Sequence, residues 1–129
     1  MATVAVNLIP PVRTLDQRGV YTVEWTPLTN VNVDGSPVAN TRFSDRSVQV
    51  SGTFGAGGTI TMQGTNQVDG AGLPINWATL FDQAGAALTF TAAGLKTVLQ
   101  VSRFIRPLES AGDGTTSLTV TLTSHGDDV

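Results

Sequence analysis

The sequence contains no cysteine. A disulfide framework, thiol catalysis and Cys-ligated zinc are excluded together. Histidine occurs once, at His125, so any mechanism that needs two imidazoles is excluded as well. Lysine also occurs once. Lysine and arginine together number 7 against 10 acidic residues, which leaves a formal charge of −3, and charged residues make up only 13% of the chain. A nucleic-acid partner is not expected from that balance, because the phosphate backbone asks for a Lys/Arg excess. No apolar run approaches the roughly 18 residues of a transmembrane helix, so no membrane partner is expected either. The N-terminus, Met1 to Val6, lacks the basic and apolar regions of a signal peptide. The missing cysteine suits a protein made in a reducing cytoplasm.

What is present favours strands. The chain has 129 residues, the size of one domain. Threonine occurs 19 times and valine 15 times, and both are β-branched residues that suit a pleated surface. With 14 glycines and 6 prolines there is ample material for turns. Apolar and polar residues alternate over 20–26, 47–54, 59–64, 75–81 and 116–123, and shorter strand patterns cover 88–91, 96–101 and 104–108. The segments 47–54 and 59–64, joined by Gly55-Ala56-Gly57-Gly58, read as a hairpin. Pro107 marks its strand as an edge or an ending. The expected architecture is an all-β, single-domain β-sandwich, jelly-roll or immunoglobulin-like, of about seven to eight short antiparallel strands. Residues 1–19 are expected to form an extended N-terminal arm, 20–124 the sandwich, and 125–129 a flexible polar tail. The arm carries Val4, Val6, Leu8 and Ile9 ahead of Pro10-Pro11 and Arg13. It suits either a first edge strand or a segment that reaches a neighbouring subunit.

No constellation of catalytic residues stands out. Asp34, Asp69, Asp82 and Asp113 lie in glycine-containing turns, where aspartate is a turn former before it is a calcium ligand. Glu24 and Glu109 lack a spacing signature for glycoside hydrolysis. His125 stands in the expected tail, a poor place for a catalytic base. The run GTFGAGG over 52–58 has no following Gly-Lys-Ser/Thr, so it is not a phosphate loop. No cofactor and no metal is expected. Trp25 and Trp77 fall on apolar faces and are expected in the core, with an exposed sugar-stacking platform as the alternative. Arg103 and Arg106 flank Phe104-Ile105. They read either as solvated side chains or as interface residues, since arginine is enriched in protein contacts and lysine depleted.

Several stretches carry a family resemblance: VSGTFGAGGTITMQGTN over 50–66, NWATL over 76–80, LTFTAAG over 88–94, RFIRP over 103–107 and GDGTTSLTVTL over 112–122. In strand and turn phrasing this resembles the head decoration (capsid cement) proteins of tailed bacteriophages and related small virion β-sandwich proteins, over a little more than half of the chain. The loop QVDGAGLP over 67–74 is longer than the turn such proteins carry there. The resemblance implies a non-enzymatic virion protein, made in the host cytoplasm, that sits on the outer surface of the capsid. It would bind major capsid protein subunits and itself, as a homo-trimer in the first instance or a dimer, and clamp the shell. The interface candidates are then Val4, Val6, Leu8, Ile9, Pro10, Pro11, Arg13, Arg103 and Arg106. The alternatives are a carbohydrate-binding module or fibre or tail component using tryptophan, and, well behind, a small hydrolase.

Overall fold

A computed structural model describes residues 2–9, 20–39 and 45–125. These form β1 (Val6–Ile9), β2 (Val20–Leu28), β3 (Val38–Ala39), β4 (Asp45–Thr53), β5 (Gly58–Thr65), β6 (Gln67–Val68), β7 (Pro74–Ile75), β8 (Ala78–Thr79), β9 (Thr89–Phe90), β10 (Gly94–Val98), β11 (Phe104–Ala111) and β12 (Ser117–His125), with no helix among the described residues. The fold is the expected all-β sandwich. The strand count differs, because five of the twelve strands are only two residues long.

One sheet has the order β1-β2-β12-β4-β10 and the other β3-β11-β5-β8, with β9 also on β5; β6 and β7 make a separate ribbon. Neighbouring strands are antiparallel throughout. Alternation decides what lies between the sheets. Val23 and Trp25 of β2, Val48 and Val50 of β4, and Leu118, Val120 and Leu122 of β12 face inward from the first sheet. Ile60 and Met62 of β5 and Ile105 of β11 meet them from the second. Each such side chain contributes about 1.5–3 kcal/mol by leaving water. Trp25 is fully buried, and its indole N–H donates to the Ser36 carbonyl at 2.9 Å.

The apparent hairpin of 47–54 and 59–64 is not a hairpin. β4 pairs with β10 and β12, whereas β5 pairs with β11, β8 and β9, so the chain crosses from one sheet to the other between them. β11 and β12 cross in the same way beside them. The Gly55 φ of 69° and Gly57 φ of 77° supply the left-handed backbone that this crossing uses. The two arches are tied together. Asp113 Oδ2 accepts from Ala56 N at 3.0 Å, and the Thr116 hydroxyl donates to the Phe54 carbonyl at 2.8 Å.

Pro107 does not end its strand. It faces Met62 within β11, which runs on to Ala111. Its carbonyl accepts from Gly35 N at 3.0 Å, so its ring nitrogen also points away from β5, where no ladder bond is lost. The expected strand over 75–81 is interrupted: β7 and β8 are short, and Phe81 only bridges Ala87. The expected strand 96–101 ends at Val98.

The N-terminal segment takes the edge-strand reading over residues 4–9. Val4 is buried in the core and bridges Gly35, with Val4 N donating to Asp34 O and Ser36 N to Val4 O, both at 2.8 Å. β1 then pairs with β2, Val6 opposite Trp25. Residues 2–9 thus belong to the sandwich instead of standing apart as an arm. Pro10, Pro11 and Arg13 lie outside the described residues. His125 is the last residue of β12, opposite Asp45 and Val20, and not part of a tail; the remainder, 126–129, lies outside the described residues.

Two predictions follow from the interior. A Cβ at Gly35 would stand 2.6 Å from two ring carbons of Pro107 and 2.7 Å from Trp25 Cδ1, so Gly35→Ala should cost about 1–3 kcal/mol in chemical denaturation. Glu109 faces inward, 3% exposed, with Oε1 lacking a partner among the described residues. Desolvation holds its carboxyl above the ordinary range, against a hydrogen bond from the Thr59 backbone. A carboxyl raised in the folded state costs stability as pH climbs through its titration. Glu109→Gln should therefore raise stability near pH 7 by about 1 kcal/mol, and the gain should fade on acidification into the ordinary glutamate range. Melting temperatures across pH check this.

Candidate interaction surface

Arg106 projects from the outer face of the second sheet. Phe104, Arg106 and Leu108 of β11 are half-buried there, while Ile105, Pro107 and Glu109 face in. Arg106 is held by three groups of its own chain. Its Nε donates to Gln63 Oε1 at 3.0 Å, Nη1 lies 3.7 Å from Asp34 Oδ2, and the guanidinium carbon stands 4.3 Å from the centroid of Trp77. Gln63 is in reach because it faces Arg106 across the β5–β11 ladder. Burial pulls the guanidinium below its ordinary pKa, and the Asp34 carboxylate pushes it back up. The result is a planar cation fixed on an aromatic ring. Arg103 is the more exposed of the pair. Its guanidinium lies 5.4 Å from the Phe104 ring, and its backbone N donates to Asn66 Oδ1 at 2.8 Å.

The other interface candidates divide by depth. Val4 is a core residue and has no surface to offer. Val6 packs against the core from β1. Leu8 and Ile9 are exposed, Leu8 to 62%. They overhang the edge of the first sheet, beside β2 only. Trp25 is in the core as expected. Trp77 is not: it sits half-buried at the surface with Arg106 over it.

The remaining candidates do not assemble a reaction centre. Asp69 Oδ1 accepts from Ala71 N and Leu73 N, Asp82 Oδ1 from Ala84 N and Ala86 N, and Asp113 Oδ1 from Thr115 N and Oγ1. Each carboxylate therefore organises its own turn. The Asp113 carboxyl is pulled below its ordinary value first by the Thr115 side chain, then by the Ala56 and Thr115 backbone. Asp34 serves Arg106 and the Thr3 hydroxyl. Among the described residues, no group of three or more His, Cys, Asp or Glu is placed to hold a metal ion. Glu24 pairs with Asn7 and Thr121 on the first sheet, whereas Glu109 lies inside the second, so the two glutamates do not converge.

One feature had no signal beyond the residue type. Arg46 is the inward-facing residue of β4 nearest its start, 3% exposed, beside a cavity of about 400 Å³. A charge in an inward slot of an alternating strand is the one cue that could have pointed to it. Close by lie exposed apolar residues, Phe81, Leu99 and Val101. No family model matches the chain, and neither does any curated protein or solved structure.

Removing Arg106 should uncover Trp77 and leave Trp25 shielded. Arg106→Ala is expected to raise acrylamide quenching of a single tryptophan population and to cost about 0.5–1 kcal/mol for the lost ring contact. Unchanged quenching would show that the guanidinium does not shield the ring.

Proposed function

We propose that this chain is a non-enzymatic virion protein of a tailed bacteriophage that decorates the outer surface of the capsid, binding major capsid protein subunits and its own copies, with a trimer favoured over a dimer. The observation that carries the reading is the strand and turn phrasing of residues 50–122, which resembles head decoration proteins. Those residues hold both arches and most of the second sheet. The state of the polar groups supports it. The turn carboxylates are engaged by backbone donors, which suits a scaffold more than a reaction centre. Binding of this kind acts through area, about 1,600 Å² in a standard interface, repeated over many copies. Leu8, Ile9 and Arg103 are the exposed candidates that supply it. The sugar-platform alternative is weakened, because Trp25 has no free face and Trp77 carries Arg106 on its ring.

The copy number of this chain in purified virions, measured by quantitative mass spectrometry against the major capsid protein, tests the reading. Hundreds of copies at a simple ratio to the shell subunit are expected; a handful or none would overturn it. Deleting residues 1–19 is a poor test of the contact, since it removes β1 and the buried Val4. Leu8→Asp and Arg103→Glu alter exposed side chains instead. Each should weaken shell binding by about tenfold without shifting the melting temperature.

A further inference from the structure

We propose that the groove bordered by the end of β5, the β7–β8 turn and residues 100–102 binds a neutral saccharide through fixed amide side chains. The site goes beyond the capsid reading and does not rest on it. The groove is a cavity of about 430 Å³, within the usual range for small-molecule sites. No charged residue and neither tryptophan lines it. Two of its amides are oriented by backbone donors. Asn66 Oδ1 accepts from Arg103 N at 2.8 Å, and Gln100 Oε1 accepts from Phe81 N at 2.7 Å. A backbone N–H only donates, so each amide turns its oxygen to it and keeps its NH2 group on the other branch. Neither NH2 group donates to a partner among the described residues. Both are accessible. Asn66 is exposed, and the buried unpartnered side-chain nitrogens among the described residues are those of Arg46, so the Gln100 nitrogen is open as well.

The other walls supply acceptors and an apolar patch. Asn76, with a φ of 57° in the left-handed region that asparagine tolerates, donates from Nδ2 to Gln67 Oε1 at 2.7 Å. Whichever way these two exposed amides are turned, the pair leaves one more donor group and one more acceptor free. The Ser102 hydroxyl donates to the Phe104 carbonyl at 2.7 Å, so towards a further partner it accepts. Gly64 makes room for it, since a Cβ there would stand 2.5 Å from Ser102 Oγ. Val101, 58% exposed, adds the apolar patch. This mixture selects the ligand. With no charge in the lining, a charged ligand gives up water and gains no opposite charge in return. A hydroxyl accepts from one neighbour and donates to another, and it rotates to suit. The vicinal hydroxyls of a sugar ring therefore match amide donors set beside hydroxyl and carbonyl acceptors, while the C–H face of the ring suits Val101. An extended main chain fits less well, because it needs an acceptor for every N–H, and the two oriented amides offer donors.

The test follows the side-chain NH2 resonances of Asn66 and Gln100 in the ¹⁵N-labelled full chain. The neutral probes are maltotriose, cellotriose, mannotriose and triacetylchitotriose. Trigalacturonate serves as the charged saccharide and acetyl-Thr-Ala-Thr-amide as the extended main chain. At least one neutral trisaccharide should move both resonances saturably, at concentrations where trigalacturonate and the peptide leave them in place. Asn66→Asp and Gln100→Glu each keep the oxygen that accepts from the backbone and replace the NH2 donor. Each should raise the saccharide concentration needed for saturation by about tenfold or more, read on the other residue's NH2 group, without lowering the melting temperature. Gln49→Glu, an exposed residue of β4 in the first sheet, adds the same charge away from the groove and should change nothing. No saturable movement with any neutral trisaccharide would overturn the site, as would saturation unaffected by both groove variants. An equal response to the peptide would overturn the saccharide assignment in favour of a protein segment, and an equal response to trigalacturonate would overturn the selection for a neutral ligand.

Discussion

The sandwich depends on the lateral tie between its two arches. Each arch carries the chain from one sheet to the other, and no ladder of hydrogen bonds runs across the gap between sheets. Asp113 and Thr116 supply polar links where the arches lie side by side. Asp113 binds its own turn with one oxygen and the neighbouring turn with the other. The stagger of β4 against β12 and of β5 against β11 is carried by their own ladders, and the carboxylate joins the two pairs at the end where both arches cross. The inward residues of both sheets meet in the apolar core that the arches close at this end.

The N-terminal segment closes the structure from another side. Val4 is bound to the strip beside β11, and two residues later the chain is an edge strand of the opposite sheet. One short stretch thus contacts both layers. The two buried charges define the ends of the interior. Glu109 sits towards the arches and Arg46 at the far end, too far along the strands to neutralise each other. The middle, between Val48 and Leu122 on one side and Ile60 and Met62 on the other, is apolar.

Much of this was legible in the sequence, and what was missed shares a cause. Alternation in 116–123, 47–54 and 20–26 identified the strands and their inward faces correctly, because burial on one side leaves a period of two. Alternation does not say which strand lies alongside which. Val48 and Val50 followed by Ile60 and Met62 suit a hairpin and an arch equally, and only the pairing partners separate them. Pro107 reads as an edge or an ending for a related reason: the cost of a missing N–H depends on which side of the strand it faces. Trp77 shares a face with Ile75 and Thr79 in the sequence pattern, which points to the core, yet that segment breaks into short pieces and the ring ends under Arg106. Arg106 was legible as a residue of interest, but its partners come from 43 and 72 positions away in the cases of Gln63 and Asp34. Arg46 precedes the alternating run 47–54, yet it is the strand's first inward side chain.

The first sheet ends in two different strands, β1 on one border and β10 on the other, and each has a single paired neighbour among the described residues. These borders are not alike. β1 carries Leu8 and Ile9, whereas β10 carries Leu95 and Lys96. A two-fold axis can join like borders only, so it consumes one kind and leaves the other bare. A contact that joins unlike borders is heterologous, and its rotation decides the outcome: a ring if it closes, a filament if it does not.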